Sequence, residues 1–228
     1  VYKFNSCLKA IPSIFDCNNQ DLIKNEGMLF SYDALTLYEQ GINNVVFQQR
    51  FKLTWHFLRQ LMNIPGWDWT KDVPVILDSR VHMLMPNFYP AIPGYHLDDV
   101  PRELESGQPN HNNPSYKAEH CMLIAGDASK TDFALGEITL PEIKAEEKYY
   151  KVWHPLVDKA VKDGKMTHVS AEPGNLYFFD WQTFHQGTKA TKNGWRWFIR
   201  ASKNTTRPRK NEIRQQVQVY LENPMEGW

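Results

Sequence analysis

Apolar positions change their period once along the chain. From Asp33 to Met62 they recur at helical spacing, with Phe47, Phe51, Trp55 and Leu58 on one stripe and Leu53, Phe57 and Leu61 widening it. Gly41 divides this stretch into a short first helix and a longer second one. Beyond Pro65 and Gly66 the pattern shortens to β-rich runs: Val73 to Leu77, Val81 to Leu84, Gly94 to Asp98, Cys121 to Ala125, Phe133 to Leu140, Met166 to Val169, Leu176 to Phe179, and Trp195 to Ala201. Many short strands punctuated by Pro and Gly predict a mainly β protein with flanking helices, built as a sandwich, barrel or jelly roll.

One helical segment interrupts the strands, from about Glu142 to Lys162, bent at Pro155 and closed by Gly164. It reads either as a surface helix packing Tyr149, Trp153 and Leu156 onto a sheet or as a cover at the mouth of a site. Near the end, Val217, Val219 and Leu221 alternate with Gln216, Gln218 and Tyr220, which predicts a final strand.

Composition narrows the class. The 228 residues are 42% hydrophobic and 13% aromatic, enough to fill a core, and no repeat or linker divides them. We therefore expect one domain over 1–228, with a helical flank at 1–66, the β core at 73–205 and a C-terminal extension at 206–228. Lys plus Arg and Asp plus Glu both number 26, so no global field attracts nucleic acid or an anionic membrane. No run reaches the roughly 18 apolar residues of a spanning helix, and the start lacks the layout of a signal peptide. Cys7, Cys17 and Cys121 form no CxxC pair and leave an odd thiol, which points to the cytoplasm. A small molecule is the partner this leaves.

Three signals carry chemistry. His96 and Asp98, in Gly-Tyr-His-Leu-Asp-Asp, are two apart in a β-like run, so both side chains face one way and one strand can supply two metal ligands. The same spacing also suits a solvated strand end. In the second, Pro173 and Gly174 turn into the run Leu176 to Phe179, and Asp180 precedes a short stretch that delivers His185. A third ligand there completes a set of two histidines and one carboxylate, which leaves open positions on one side of a metal. The third signal is Trp195-Arg-Trp-Phe-Ile-Arg-Ala-Ser, where Arg196, Phe198, Arg200 and Ser202 share a face. An inward arginine among aromatics calls for a carboxylate or phosphate, whereas an outward one is simply solvated.

In this order, His96-x-Asp98, Pro173-Gly174 through Phe179-Asp180 to His185, and Arg196 eleven residues later, the residues resemble the double-stranded β-helix (jelly-roll, cupin-like) oxygenases that use Fe(II) and 2-oxoglutarate. The branches most similar are the phytanoyl-CoA hydroxylase-like and taurine-dioxygenase-like ones, over about Val73 to Ser202. The resemblance implies that His96, Asp98 and His185 hold Fe(II), and that an arginine binds the distal carboxylate of 2-oxoglutarate. It also implies that O2 is consumed and that succinate and CO2 are released while a C–H bond of a small polar metabolite, such as an amino acid, is hydroxylated. An acid at Asp98, rather than Gly or Ala, departs from the halogenating relatives.

Arg196 and Arg200 lie about 13 Å apart along a strand at roughly 3.3 Å per residue, so one carboxylate cannot be clamped equally by both. The offset from His185 and the hairpin at Lys192-Asn-Gly favour Arg196 as the cosubstrate anchor, with Arg200 on the prime substrate or a structural carboxylate. Other readings stay open: a zinc site using His96, Asp98 and His120, a cupin-like metal protein with other chemistry, and a binding module with a vestigial site. His111, like His120, flanks the His96–Asp98 segment, His82 and His168 read as ordinary strand histidines, and His56 and His154 sit in helical segments and carry no spacing signal. The basic residues Lys203, Arg207, Arg209, Lys210 and Arg214 read as a solvated segment or a phosphate patch.

Overall fold

Every ladder among the described residues is antiparallel. The computed structural model describes residues 1–13, 16–105, 107, 109–113, 115–144 and 147–221. The chain opens with β1 (Tyr2–Ser6), β2 (Lys9–Pro12), α1 (Gln20–Lys24), β3 (Leu29–Phe30) and β4 (Tyr32–Asp33). Helices α2 (Ala34–Gly41), α3 (Val45–Arg50) and α4 (Lys52–Leu61) follow. Then come β5 (Val75–Leu84), β6 (Glu119–Ala125), β7 (Thr131–Leu140), α5 (Tyr149–Lys162), β8 (Thr167–Ala171), β9 (Asn175–Asp180), β10 (Phe184–Gly187), β11 (Gly194–Lys203) and β12 (Glu212–Ile213). The larger sheet runs β2-β9-β6-β11-β5-β4, and in the smaller one β7 pairs with β1, β8 and β10.

Alternation along the central strands builds the layers. Val75, Leu77 and Val81 of β5, Cys121, Leu123 and Ala125 of β6, and Trp197, Ile199 and Ala201 of β11 pack in one cluster with α4 residues Leu53, Phe57 and Leu61. The opposite face is apolar toward β6 and β9, where Met122, Ile124, Tyr177 and Phe179 meet Phe133 of the smaller sheet. Toward β5 and β11 that face turns polar: the register sets Asp78 opposite Arg200, Arg80 opposite Phe198, and His82 opposite Arg196. Polar groups gathered on an otherwise buried face mark where the site lies.

The helical stretch breaks into three rather than two. Phe51, at φ −118° and ψ 43°, separates α3 from α4 while its ring stays buried. No side chain of its own caps α4; Glu26 does so from a distance, accepting hydrogen bonds from the Leu53 amide at 2.9 Å and the Thr54 amide at 2.8 Å.

Four sequence expectations are corrected. The flank at 1–66 is not purely helical, because β1 and β2 add strands to both sheets; β1 alternates Tyr2 and Phe4 with the exposed Lys3 and Asn5, but both runs are only five and four residues long. The two expected runs, Val73 to Leu77 and Val81 to Leu84, become one strand over Val75–Leu84, since Asp78, Ser79 and Arg80 continue the ladder with polar side chains. Gly94 to Asp98 is not a strand: only His96 pairs, in a single bridge with His185, and Pro90 and Pro93 upstream lack the amides a ladder needs. Val217 to Leu221 likewise reduces to one bridge, Tyr89 to Tyr220.

The insert does form a helix, α5, with Pro155 inside it. Trp153 is fully buried and donates its indole N–H to the Pro141 carbonyl at 3.0 Å, whereas Leu156, expected inside, is exposed. Ala145 and Glu146 of the insert, and 222–228 of the C-terminal extension, lie outside the described residues. None of the described helices is long and apolar enough to cross a membrane.

Candidate metal centre

The isolated bridge between His96 and His185 brings the two motifs together. His96 N–H donates to the His185 carbonyl at 3.0 Å, and His185 N–H returns the bond at 3.1 Å. Because His185 also pairs with Phe133 on β7, the His96 segment adds to the far edge of β10. One ligand atom each from His96, Asp98 and His185 then lie within 4.8 Å of one another. This is the group of three that the spacing predicts.

Hydrogen bonds fix the tautomers. His96 Nδ1 faces the Gly94 carbonyl at 2.9 Å, and His185 Nδ1 faces the Thr183 carbonyl at 3.0 Å. A carbonyl only accepts, so each Nδ1 carries a proton and Nε2 is the atom each ring turns toward Asp98. His185 Nε2 donates to Asp98 Oδ2 at 3.0 Å, because a carboxylate only accepts, and His96 Nε2 lies 4.0 Å from Oδ1. Burial, then the neighbouring His185, pushes the His96 imidazole down to about 4. A divalent cation would take the place of the proton between His185 and Asp98, and the backbone carbonyls behind both rings orient them as they orient metal-binding histidines. The donor set therefore fits a metal ion with open positions remaining.

Backbone geometry aims the segment. Gly94 sits at φ +112°, and a Cβ there would lie 2.8 Å from the His154 ring. His154, on α5, accepts the Tyr95 amide at 2.8 Å through Nδ1, so the helix reaches the residue next to the first ligand.

The two arginines of β11 have different surroundings. Arg200 pairs with Asp98 and with Asp99 at 3.1 Å, and Asp78 lies 3.9 Å away. Burial opposes its charge, but these three carboxylates outweigh burial and raise its pKa. They act back on Asp98: burial pushes that carboxyl up, and Arg200 and then His185 hold it well below the usual range. Arg196, 3% exposed, donates Nε to the Ser129 carbonyl at 3.0 Å and Nη2 to the Thr131 hydroxyl at 3.1 Å, but makes no ion pair among the described residues. Burial, then the nearby Arg80, pulls its pKa down to about 9.

Arg196, Thr131, His82, His96, Asp98 and His185 line one inner chamber of 330 Å³. An outer cavity of 600 Å³ abuts it and is lined by residues of the His96 segment, by Tyr149, Tyr150 and His154 of α5, and by the C-terminal extension from Arg214 to Tyr220. The C-terminal basic residues are thus not a plain solvated segment. Arg207 pairs with Asp78, and with Asp99 at 3.4 Å, while Arg214 lies 3.6 Å from Asp78.

His120 is not in the ligand group. It is fully buried, with Nδ1 at 2.9 Å from the Ser202 hydroxyl and its ring against Phe179. His111 packs among Tyr2, Phe4 and Trp153, and His168 faces Asp132 at 3.1 Å away from the chamber. Sequence reasoning missed Arg80 and His82, both of which line the chamber. His82 donates Nε2–H to the Gln218 carbonyl at 3.1 Å, leaving Nδ1 as an unpartnered buried acceptor. The alternation Asp78, Arg80, His82 was the available signal, since i, i+2 and i+4 share a strand face.

No protein-family model matches the sequence, and no curated protein does. Among solved structures, an N-substituted L-amino acid dioxygenase from Burkholderia ambifaria AMMD, in complex with alpha-KG, is similar over 74% of this chain at 13% identity and a TM-score of 0.34. A second structure of an N-substituted L-amino acid dioxygenase from Burkholderia ambifaria AMMD gives 13% identity and a TM-score of 0.35 over 73% of the chain, and EvdMO1 gives 12% and 0.29 over 82% of the chain. The alignment spans 65% of the first neighbour's own length and 50% of EvdMO1's. At TM-scores of this size the chemistry has to be read from the residues themselves.

Proposed function

We propose that the protein is an Fe(II)- and 2-oxoglutarate-dependent oxygenase of double-stranded β-helix architecture. In this reading it hydroxylates a C–H bond of a small polar metabolite, such as an amino acid. The observation that carries it is the coexistence, in one chamber, of a His-Asp-His donor set and a buried arginine with no carboxylate partner. An unpaired buried guanidinium is costly, and a dianionic ligand supplies the missing charge.

His96, Asp98 and His185 would hold the iron, whose chemistry, when bound, is O2-dependent decarboxylation of the oxo acid coupled to oxidation of the substrate. The chain's own part is positional. The Gly94 and Thr183 carbonyls keep both imidazoles in the ligating tautomer. Arg196, held by Ser129 and Thr131, presents its remaining Nη1 to the distal carboxylate. His82, pushed down to about 3 by burial and by Arg196, stays neutral and offers Nδ1 to a hydroxyl or water beside it. The apolar cluster around Phe133 and Phe179 closes the chamber from behind.

Calorimetric titration of Fe(II) and then 2-oxoglutarate under nitrogen, followed by succinate release across a metabolite panel in air, tests the reading. The wild type should bind both and release succinate with some panel member. His185→Ala should lose Fe(II) binding with its circular dichroism unchanged, while His120→Ala keeps it. Retained Fe(II) binding in His185→Ala, or 2-oxoglutarate binding independent of Fe(II) and of Arg196, would overturn it.

A further inference from the structure

The outer cavity carries a charge pattern of its own. Its charged lining is Arg80, Arg102, Arg214 and Asp98, and Asp98 is committed to the donor group. Arg102 donates to the Gly107 carbonyl at 3.0 Å, and Arg214 lies near Asp78 with its guanidinium over Phe30. Arg80 differs from both: it makes no hydrogen bond or ion pair among the described residues, and it lines both cavities.

Its position follows from the strand. Arg80 alternates with Asp78 and His82 on the inner face of β5, opposite Phe198, which offers no acceptor. Asp78 is taken by Arg207 and Arg214, and Asp98 by Arg200. Burial and then Arg200 work against the Arg80 charge, with Asp78 and Asp98 opposing them. Once Asp98 shares its charge with a metal cation, even that compensation weakens. A guanidinium without a fixed acceptor beside a 600 Å³ space is built to receive an oxyanion.

The rest of the wall sets the remainder of the ligand. Pro90, Ile92 and Val217 are apolar, and Tyr149, Tyr150 and Tyr220 add aromatic edges with hydroxyls. We propose that the outer cavity binds a partly apolar organic oxyanion, a carboxylate or phosphate ester, with Arg80 gripping the charged group next to the metal site. The assignment of this molecule as the oxidised substrate rests on the oxygenase reading; the binding itself does not.

The test uses matched probes on the full chain, both loaded with Fe(II) and 2-oxoglutarate under nitrogen and free of both. Phenylacetate is compared with phenylacetamide, and phenyl phosphate with phenol, by calorimetry and ligand-observed NMR. At least one anion should bind about tenfold or more tighter than its neutral partner, and whether it is the carboxylate or the phosphate names the source. Arg80→Gln should abolish that preference and Arg80→Lys restore part of it.

Equal binding of neutral and charged members, or no binding by any, overturns the proposal in the wild type alone, whatever the variants do. Loss of 2-oxoglutarate affinity in Arg80→Gln with the anion preference of the probes intact also overturns it, by assigning Arg80 to the inner chamber alone. If anions bind through Arg80 but neither Fe(II) nor 2-oxoglutarate does, the oxygenase reading falls and the anion site stands.

Discussion

Arg196 and Arg200 project from the same face of β11, yet among the described residues Arg200 alone of the two meets carboxylates: it pairs with Asp98 and Asp99, whereas Arg196 is held by the Ser129 carbonyl, the Thr131 hydroxyl and the Phe198 ring. Four residues of strand separate an arginine whose charge is balanced from one whose charge is not. The difference follows from what stands across the ladder, Asp78 opposite Arg200 and His82 opposite Arg196.

The imbalance makes the two positions respond differently to truncation. Arg196→Ala should weaken 2-oxoglutarate by about 2–4 kcal/mol, because the ligand loses a charge-assisted contact and is left with an unpaired carboxylate. Arg200→Ala should instead destabilise the fold by about 3–5 kcal/mol, since Asp99 and Asp78 lose a buried partner. Calorimetry and urea unfolding on both variants separate these outcomes. A larger cosubstrate loss at Arg200 would reverse the roles.

The grouping of His96, Asp98 and His185 was legible because its two parts are local: a two-residue offset puts His96 and Asp98 together, and a turn with Gly174 at φ +87° leads to the strand before His185. Arg80 and His82 were not, because their meaning depends on a register partner in β11 that lies more than a hundred residues away. The same holds for Arg207 and Arg214. Read along the chain they belong to a basic surface run, and only the fold supplies Asp78 and Asp99. The strand pattern survived apart from the Gly94 and Val217 runs, which reduce to single bridges, and from β1 and β2, whose two sheets cannot be assigned without knowing where β7 and β9 lie.

Helix α5 reconciles the two readings of the insert. Trp153 and Val157 anchor it in an apolar cluster, while Tyr149, Tyr150 and His154 face the outer cavity. Through His154 it also holds the Tyr95 amide next to the first ligand. His154→Ala removes that acceptor and should cost metal affinity about fivefold to thirtyfold, the equivalent of about 1–2 kcal/mol, with global stability falling by a similar amount at most. His154→Asn, which can still accept through its amide oxygen, should recover part of the affinity. Metal titration of both variants checks this; unchanged affinity in His154→Ala would make the contact incidental.

Stability should fall on the acid side in a way the buried histidines dictate. Burial first of all pushes His82 and His120 down to about 3 and His111 down to about 4, from an ordinary value of 6.5. All three are therefore neutral in the fold and protonated once unfolded, so their contribution is complete above about pH 6.5 and is lost as pH falls toward 3 to 4. Glu26 works the other way: burial pushes it up to about 7 from 4.5, so between those values the fold holds one more proton than the open chain. Three protons gained on unfolding less one released leaves two. At about 1.4 kcal/mol per proton per pH unit, these four groups should together lower stability by about 3 kcal/mol per unit between pH 6 and 5, and His96, His56 and His154, lowered first by burial, steepen the slope further. His111 isolates one share of this, since both its ring nitrogens are buried without a partner among the described residues and its neighbours Tyr2, Phe4, Tyr149 and Trp153 are all aromatic. His111→Phe removes an unsatisfied N–H and the titration together. It should stabilise the protein by about 1–3 kcal/mol at pH 7 and flatten the acid slope by about one proton. Urea unfolding of both proteins from pH 5 to 7.5 measures each quantity, and a variant that is less stable at every pH with an unchanged slope would show that His111 has a partner this packing does not reveal.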